Sequence, residues 1–304
     1  MASVTSSYTS ADEIPLLIYG TGSCSEKQDE LTFKAVQQGY LAIDTGPTPA
    51  YCEELTSRGL QQATLTRPGQ RSQSLFVQTK ISPADRYQDI NALPFEISDC
   101  PRQQVIKSFQ RSKLRFAGSG CNINALLLHA PLPTFSMTIQ YWEAMEYLVD
   151  SEEHLKLLGI CNATIATVRH LHSTARIKPS IVQNSFRAPS HFDRDVIDFC
   201  RETGMIYQAY GVLTSNVELL SSQIVGWFAE TNSISEAEAL ILLVASFGRG
   251  TIRIIHASHD EEHMASDLAN CHLVNEVTEA VINGFEELLG VLSRSSPRGI
   301  SWSY

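Results

Sequence analysis

The sequence predicts an α/β protein, a (β/α)8 TIM barrel in which a parallel eight-stranded barrel is surrounded by helices. Three observations support this prediction. Short apolar runs recur eight times along the chain, stretches with helical periodicity lie between them, and no break in composition divides the 304 residues. Alternating strands and helices imply a parallel sheet, and eight strands are the number that closes such a barrel.

The predicted strands are rich in Leu, Ile, Val and Tyr, as expected for strands buried on both faces. They cover residues 16–20, 40–44, 75–80, 125–129, 157–161, 181–183, 205–210 and 252–256.

Amphipathic segments between these runs are predicted to be helices, at 26–38, 102–116, 193–202 and 236–247. The segment 193–202 begins with Asp193, a residue type that caps helices, and ends before Gly204. A further helix is predicted over 217–231, between the seventh strand and the strongly apolar 236–247 helix. The long segment 81–100 follows a strand, so we expect it to lie on the active-site face of the barrel.

The predicted organisation is a flexible arm at 1–13, a single barrel domain at 14–290 and a C-terminal tail at 291–304. The arm is rich in Ser and Thr, and the tail in Ser, Arg and Gly. The tail either is flexible or folds back over the barrel mouth, and the sequence leaves both possibilities open.

Composition restricts the possible partners. A net charge of −10 argues against nucleic acid, because no basic patch exists to neutralise phosphates. No apolar run is long enough to span a membrane, and no secretory signal precedes the first strand. The seven scattered cysteines are typical of reduced thiols, which predicts a cytoplasmic protein. We expect no metal site, since His256, His259 and His263 are irregularly spaced; the oligomeric state is left open.

Ionisable residues end three successive predicted strands. Asp44 ends the second, Lys80 the third and His129 the fourth. Because these strand ends meet at one mouth of a barrel, the three side chains are expected to share a pocket. Any one of them alone is better explained as a solvent-facing residue, but three at successive strand ends indicate a functional site.

Several segments resemble the aldo-keto reductase family, in order from about residue 16 to residue 270. They are Ala-Ile-Asp-Thr with a following Tyr51, Phe-Val-Gln-Thr-Lys, Leu-Leu-Leu-His-Ala-Pro, Gly-Ile-Cys-Asn, Ile-Val-Gln-Asn and Gln-Ala-Tyr-Gly. The resemblance implies that Asp44, Tyr51, Lys80 and His129 are the catalytic residues. It also implies a nicotinamide cofactor contacted by Cys161, Asn162, Gln183, Tyr210, Ser258 and His263.

The implied chemistry is coherent. A hydride added to a carbonyl carbon leaves an oxyanion that needs a proton, and Tyr51 would supply it. Lys80 would stabilise the phenolate, Asp44 would pair with Lys80, and His129 would orient the carbonyl oxygen. The expected substrate is a small-molecule ketone or aldehyde.

The sequence departs from the family pattern at three places, one of which is Asn124, where the family often has Asp before the histidine strand. The Asp44–Tyr51 spacing is about two residues longer than usual, through a turn containing Gly46. After the eighth strand, Ala257 and His263 replace the cations that grip the 2′-phosphate of NADP, and acidic residues follow Ser258. We therefore expect NADP or NAD with a weakened 2′-phosphate site, or no cofactor at all.

Three functions remain open at this point. The first is an NAD(P)H-dependent carbonyl reductase with Tyr51 as proton donor. The second is a cofactor-independent acid/base enzyme, a dehydratase, isomerase or cyclase, that uses Tyr51, Lys80 and His129 on the same fold. The third, a non-catalytic interaction subunit, is disfavoured because all four catalytic residue types are present.

Overall fold

The structure, a computed structural model, describes residues 8–23, 25–66 and 75–295. Eight strands form a closed barrel in chain order, and every neighbouring pair is parallel. The prediction of a (β/α)8 TIM barrel is therefore confirmed. The strands are β1 Leu17–Gly20, β2 Ala42–Asp44, β3 Phe76–Ile81, β4 Ala125–Leu128, β5 Leu157–Cys161, β6 Ile181–Ser185, β7 Ile206–Tyr210 and β8 Ile252–His256.

The helices surround the barrel. They are α1 Gln28–Gln38, α2 Glu53–Thr66, α3 Pro101–Phe116, α4 Phe135–Ser151, α5 Ile165–Thr174, α6 Arg194–Thr203, α7 Val217–Leu220, α8 Gln223–Asn232, α9 Glu236–Phe247, α10 Glu261–Asn270 and α11 Glu279–Ser295. The helix predicted over 217–231 is thus two helices, α7 and α8. Within the described ranges, none of these helices combines the length and apolar character that crossing a membrane requires.

The start of α6 differs from its sequence prediction. Asp193 does not cap the helix, because its backbone is left-handed (φ 51°) and its side chain makes no capping hydrogen bond. The carboxylate instead accepts hydrogen bonds from Asn184 Nδ2 at 2.6 Å and from the Tyr207 hydroxyl at 3.1 Å. Asp193 therefore ties the segment before α6 to β6 and β7.

The inward face of the barrel is layered, because every second residue of a strand points inward. The lower layer is apolar and includes Ala42, Phe76 and Ile181. The residues two positions further along β2, β3 and β6 are Asp44, Gln78 and Gln183, which are polar and buried. The two-residue period therefore gathers the polar side chains in one layer above the apolar one.

The floor of the barrel is closed by part of the predicted N-terminal arm. The Tyr8 ring stacks edge-on against Phe76 with centroids 5.1 Å apart, and Ala11 is buried. The Arg253 guanidinium donates to the carbonyl oxygens of Ile14 and Asp12, at 2.6 and 3.1 Å. Residues 8–14 thus cover the end of the barrel opposite the polar layer.

Candidate active site

An ion pair lies at the centre of the polar layer. Lys80 Nζ donates to both carboxylate oxygens of Asp44, at 2.7 and 2.8 Å, and to the Thr45 carbonyl at 2.9 Å. Lys80 is fully buried and Asp44 is 3% exposed. Burial alone would lower the pKa of Lys80, but the adjacent Asp44 carboxylate more than offsets burial, so that the pKa is raised and Lys80 stays an ammonium.

Two glutamine amides support the Asp44 carboxylate directly, and a third joins those two to each other. Gln78 and Gln183 donate to Asp44 Oδ1 at 2.6 and 3.0 Å. Both also donate to Gln208 Oε1, and Gln208 Nε2 donates back to Gln78 at 2.8 Å. The sequence analysis did not identify Gln78 or Gln208; their two-residue offset from inward-facing apolar residues was the available signal.

Tyr51 reaches the pocket despite the lengthened turn. It ends a short 3-10 turn, Pro49–Tyr51, and Lys80 Nζ lies over its ring at 4.4 Å from the centroid. A Cβ on Gly46 would lie 3.0 Å from Tyr51 Cδ2, and one on Gly22 would lie 3.2 Å from Cε1. The Tyr51 ring therefore lies between Gly22 and Gly46, where no side chain occupies the space.

The electrostatic setting of Tyr51 has two opposing parts. Burial raises the pKa of the Tyr51 phenol, while the Lys80 ammonium lowers it, and the net direction is upward. The phenol is consequently protonated at neutral pH, with a cation close by that stabilises a phenolate.

A buried carboxylate anchors the segment that carries Tyr51. Glu53, at the start of α2, accepts hydrogen bonds from Thr79 at 2.6 Å, Ser112 at 3.0 Å and Arg115 at 2.8 Å. Arg115 also donates to the Pro47 carbonyl, at 3.4 Å. Glu53 thereby joins the lengthened turn between Asp44 and Tyr51 to β3 and α3. These bonds hold the turn in a position from which Tyr51 reaches the pocket.

Cys52 follows Tyr51 directly and is disulfide-bonded. The prediction that all seven cysteines are reduced thiols is therefore wrong for this residue. Spacing along the chain does not report which thiols approach each other in space, and that distance decides whether a disulfide can form. Among the described cysteines, the free ones are Cys100, Cys121, Cys161, Cys200 and Cys271.

His129 faces Tyr51 across the pocket. Its Nε2 lies 3.4 Å from the Tyr51 hydroxyl, and its Nδ1 lies 2.7 Å from Ser82 Oγ. Burial, with smaller contributions from Lys80 and Arg86, lowers the pKa of His129 to about 3, so the imidazole is neutral. If Ser82 donates to Nδ1, then Nε2 carries the proton and can donate to a ligand oxygen. Ser82 was not identified from the sequence.

These side chains open into a pocket of about 410 Å³ at the carboxyl ends of the strands. Tyr51, His129 and Arg86 line one part of it, and Tyr210 and the residues after β7 line another. The four predicted catalytic residues thus meet at one place. Arg86 is a pocket residue that the sequence analysis missed, because nothing in its local sequence separates it from an exposed loop arginine.

Two amides predicted to contact a cofactor are engaged within the protein. Asn162, whose backbone is left-handed (φ 55°), donates to the His129 carbonyl at 2.8 Å and accepts from the Tyr210 hydroxyl at 2.6 Å. Gln183 is bonded to Asp44 and Gln208, and Cys161 donates to its oxygen at 3.5 Å. Asn162, Gln183 and Tyr210 line the pocket, and Cys161 does not. Burial raises the pKa of the Cys161 thiol to about 12.

The segment after β8 is negatively charged. The Ser258 hydroxyl donates to the Asp260 carbonyl, and Asp260 caps α10 by accepting from the backbone amides of Glu262 and His263 at 2.8 and 3.1 Å. Ala257 and His263 are exposed. The helix N-terminus, which would attract a phosphate, is thus already occupied by a carboxylate and followed by acidic side chains.

No group of three or more His, Cys, Asp or Glu side chains in the described ranges is arranged to hold a metal ion. His256 Nε2 lies 3.0 Å from Asp267 Oδ2, which is a pairwise contact between β8 and α10.

Comparison with known proteins identifies the family to which this chain belongs. The model of the Aldo/keto reductase family matches residues 17–222. Glycerol 2-dehydrogenase (NADP(+)) of Hypocrea jecorina is 26% identical over 245 residues, covering 73% of this chain and 72% of that protein. The NAD/NADP-dependent indole-3-acetaldehyde reductase of Schizosaccharomyces pombe is 22% identical over 263 residues, covering 82% and 84%.

Solved structures share the fold. An aldo/keto reductase from Brucella melitensis superposes with a TM-score of 0.71 at 18% identity, covering 90% of this chain and 95% of that one. Aldose reductase from Giardia lamblia gives a TM-score of 0.70 at 18% identity, covering 93% and 94%. At this identity the likeness supports the barrel architecture and says nothing further about the substrate.

Proposed function

Because the chain belongs to the aldo/keto reductase family, we propose that it is an NAD(P)H-dependent oxidoreductase that reduces a small ketone or aldehyde, with Tyr51 as proton donor. The observation that carries this proposal is the Tyr51 hydroxyl 3.4 Å from His129 Nε2, at the wall of one pocket. The buried Lys80–Asp44 pair lies next to it, with Lys80 Nζ over the Tyr51 ring.

Each of these residues has a separate task in a carbonyl reduction. The carbonyl oxygen accepts hydrogen bonds from Tyr51 and from the neutral His129, which together fix its position. As negative charge develops on that oxygen, Tyr51 transfers its proton and becomes a phenolate. The Lys80 ammonium stabilises the phenolate, and Asp44 keeps Lys80 charged at a fully buried position.

A nicotinamide cofactor supplies the hydride when bound, and the residues of the pocket fit its ring better than its adenosine end. Tyr210 offers an aromatic face and Asn162 an amide on the same wall. At the adenosine end, the Asp260 carboxylate caps α10 and Ala257 offers no cation. We therefore propose weak discrimination between NADPH and NADH.

Fluorescence titration with NADPH and NADH tests the cofactor proposal. We expect saturable quenching by both, with dissociation constants within about tenfold of each other, a difference of ~1.4 kcal/mol. The double variant Ala257→Lys/His263→Arg restores cations at two exposed positions and should favour NADPH selectively. Strong selection of NADPH by the unmodified protein would contradict the weakened phosphate site.

Replacing Tyr51 by Phe tests the proton donor. We expect kcat for aldehyde reduction to fall by about 10²–10⁴-fold, because the acid is lost, while the cofactor dissociation constant stays unchanged. Tyr147→Phe is the matched control, since Tyr147 is a half-exposed residue of α4 outside the pocket. Unchanged turnover in Tyr51→Phe would refute the role of Tyr51.

One observation favours the second candidate, a cofactor-independent dehydratase, isomerase or cyclase. Both Asn162 and Gln183, the amides expected to hold a nicotinamide, already make hydrogen bonds within the protein. Conversion of a carbonyl compound with no nicotinamide present, together with no quenching by NADPH or NADH, would replace the reductase proposal by this one.

A further inference from the structure

Gln208 is a fully buried residue of β7 whose amide reaches two other glutamines inside the barrel. Its Oε1 accepts hydrogen bonds from Gln78 Nε2 at 2.7 Å and from Gln183 Nε2 at 3.0 Å, and its own Nε2 donates to Gln78 Oε1 at 2.8 Å. We call Gln78, Gln183 and Gln208 the glutamine triad. Since Gln78 and Gln183 also donate to Asp44, Gln208 is connected to the Asp44 carboxylate through them.

The Asp44 carboxylate determines how all three amides are oriented. A carboxylate only accepts hydrogen bonds, and an amide nitrogen has two protons to donate. Gln78 Nε2 and Gln183 Nε2 therefore each direct one proton to Asp44 Oδ1, at 2.6 and 3.0 Å, and the other to Gln208 Oε1. Turning the Gln208 amide over would bring its nitrogen against these two donor nitrogens. Gln208 thus supplies the acceptor that keeps both neighbouring amides directed at Asp44.

The glutamine triad lies where the barrel is otherwise filled by apolar side chains. Each of its residues follows an apolar residue of the lower layer by two positions, and those residues are Phe76, Ile181 and Ile206. Gln78 and Gln208 are 0% exposed and Gln183 is 3% exposed. Amides buried this deeply reduce stability unless they are hydrogen-bonded, whereas apolar side chains at the same positions would not. Packing alone therefore does not explain the triad, and its contact with the Asp44 carboxylate does.

The two donors act on the ion pair that sets the electrostatics of Tyr51. Burial raises the pKa of Tyr51, the Lys80 ammonium lowers it and the Asp44 carboxylate raises it. Amide protons directed at Asp44 Oδ1 offset part of the negative charge without adding a net charge. They also fix the carboxylate that holds Lys80 Nζ, which lies 4.4 Å from the Tyr51 ring centroid. The orientation of the triad therefore affects how well a phenolate at Tyr51 is stabilised.

We infer that Gln208 is a positioning residue for the proton transfer. Through Gln78 and Gln183 it holds the Asp44 carboxylate, and with it the Lys80 ammonium, where the Tyr51 phenolate is stabilised. Gln208 itself does not line the pocket, so it acts only through these residues. The kinetic part of this inference rests on the proposed function, whereas the coupling between Gln208 and Asp44 does not.

Two substitutions of Gln208 separate its hydrogen bonds from its volume. Gln208→Met keeps the length of the side chain but removes the amide, so we expect kcat for aldehyde reduction to fall about tenfold without weaker cofactor binding. Gln208→Glu keeps an oxygen in the acceptor position. Buried beside Asp44, its carboxyl group stays protonated and can donate to Gln78 as the amide does. It should restore kcat; if Gln208→Glu is as slow as Gln208→Met, the hydrogen bonds of Gln208 play no part.

A second variant and a matched control complete the kinetic test. Gln78→Met removes one of the donors to Asp44 directly and should lower kcat at least as much as Gln208→Met. Asn124→Leu removes another buried amide, which precedes β4 and accepts from the Val77 backbone amide at 2.9 Å. Asn124 lies outside the pocket, so this change should lower the melting temperature and leave kcat unchanged.

Urea unfolding tests the coupling without any turnover. Asp44→Asn removes the charge that the triad holds, so Gln208→Met should lower the urea midpoint less in that background than in the unmodified protein. Additive losses, or an unchanged kcat in Gln208→Met, would overturn the inference and leave the proposed function intact. Absence of turnover with every aldehyde and both cofactors would instead overturn the proposed function. In that case, non-additive losses would still show that Gln208 acts on Asp44, and additive losses would overturn this as well.

Discussion

The buried pair of Asp44 and Lys80 allows a quantitative prediction. Lys80 Nζ has three acceptors, the two Asp44 oxygens and the Thr45 carbonyl. Asp44→Asn removes the counter-charge and leaves an ammonium in a site where Lys80 is fully buried. Breaking a buried pair in this way costs ~3–5 kcal/mol of unfolding free energy. For 304 residues that corresponds to a melting temperature lower by about 5–8 °C.

The opposite change is expected to cost less. Lys80→Met keeps the apolar stem of the side chain, and the Asp44 carboxylate retains the amide donors of Gln78 and Gln183 at 2.6 and 3.0 Å. Its loss should therefore fall at the low end of the ~3–5 kcal/mol range. In the double variant Asp44→Asn/Lys80→Met no unpaired charge remains. Its loss of unfolding free energy should therefore be smaller than the sum of the two single losses by ~2–3 kcal/mol.

Urea unfolding followed by tryptophan fluorescence measures all four proteins of this cycle. The matched control is Lys113→Met, which breaks the Lys113–Glu152 pair at 2.6 Å, where the lysine side chain is 59% exposed. That change should cost less than ~1 kcal/mol. If the Asp44 and Lys80 losses add to within ~0.5 kcal/mol in the double variant, the pair is not coupled and the reasoning fails.

Three further predictions concern the geometry around Tyr51 and His129. Gly46→Ala would put a Cβ 3.0 Å from the Tyr51 ring, so we expect kcat to fall by ~10–100-fold while cofactor affinity stays unchanged. The control is Gly226→Ala, whose Cβ would meet nothing within 4 Å and which should leave kcat unchanged. Ser82→Ala removes the 2.7 Å contact to His129 Nδ1, so we expect kcat to fall about tenfold. Ser82→Thr keeps the hydroxyl and should restore kcat. If Ser82→Thr is as slow as Ser82→Ala, the hydroxyl has no role. Because the pKa of His129 is about 3 and that of Tyr51 is raised above 10, kcat/KM for reduction should be flat between about pH 5 and 9; an inflection near 6.5 in the pH profile would show that His129 titrates normally.

Much of the fold could be predicted from the sequence, because the signals involved are local. Each strand is a short apolar run, and each observed strand overlaps a predicted one. The same locality explains why Asp44, Lys80 and His129 were found, since Asp44 ends β2, Lys80 is the penultimate residue of β3 and His129 directly follows β4. A residue at a strand end has a known place in a closed barrel even before its neighbours are known.

The failures share a different cause. Asp193 has the residue type of a helix cap, but the carboxylate is drawn to Asn184 and Tyr207, which belong to strands. Cys52 gives no sign in its spacing that it is disulfide-bonded. In both cases a partner distant in the sequence decides what the side chain does.

The amino-acid sequence by itself determined the barrel and the identity of the residues at its mouth. Only the tertiary structure decided how they are connected: the Gln78–Gln208 contact joins residues 130 positions apart, and Glu53 joins the Tyr51 turn to α3. The same holds for Arg86, whose place in the pocket follows from the path of its loop. Periodicity is set by the backbone over a few residues, whereas hydrogen bonds and pockets depend on distances that exist only after the barrel has closed.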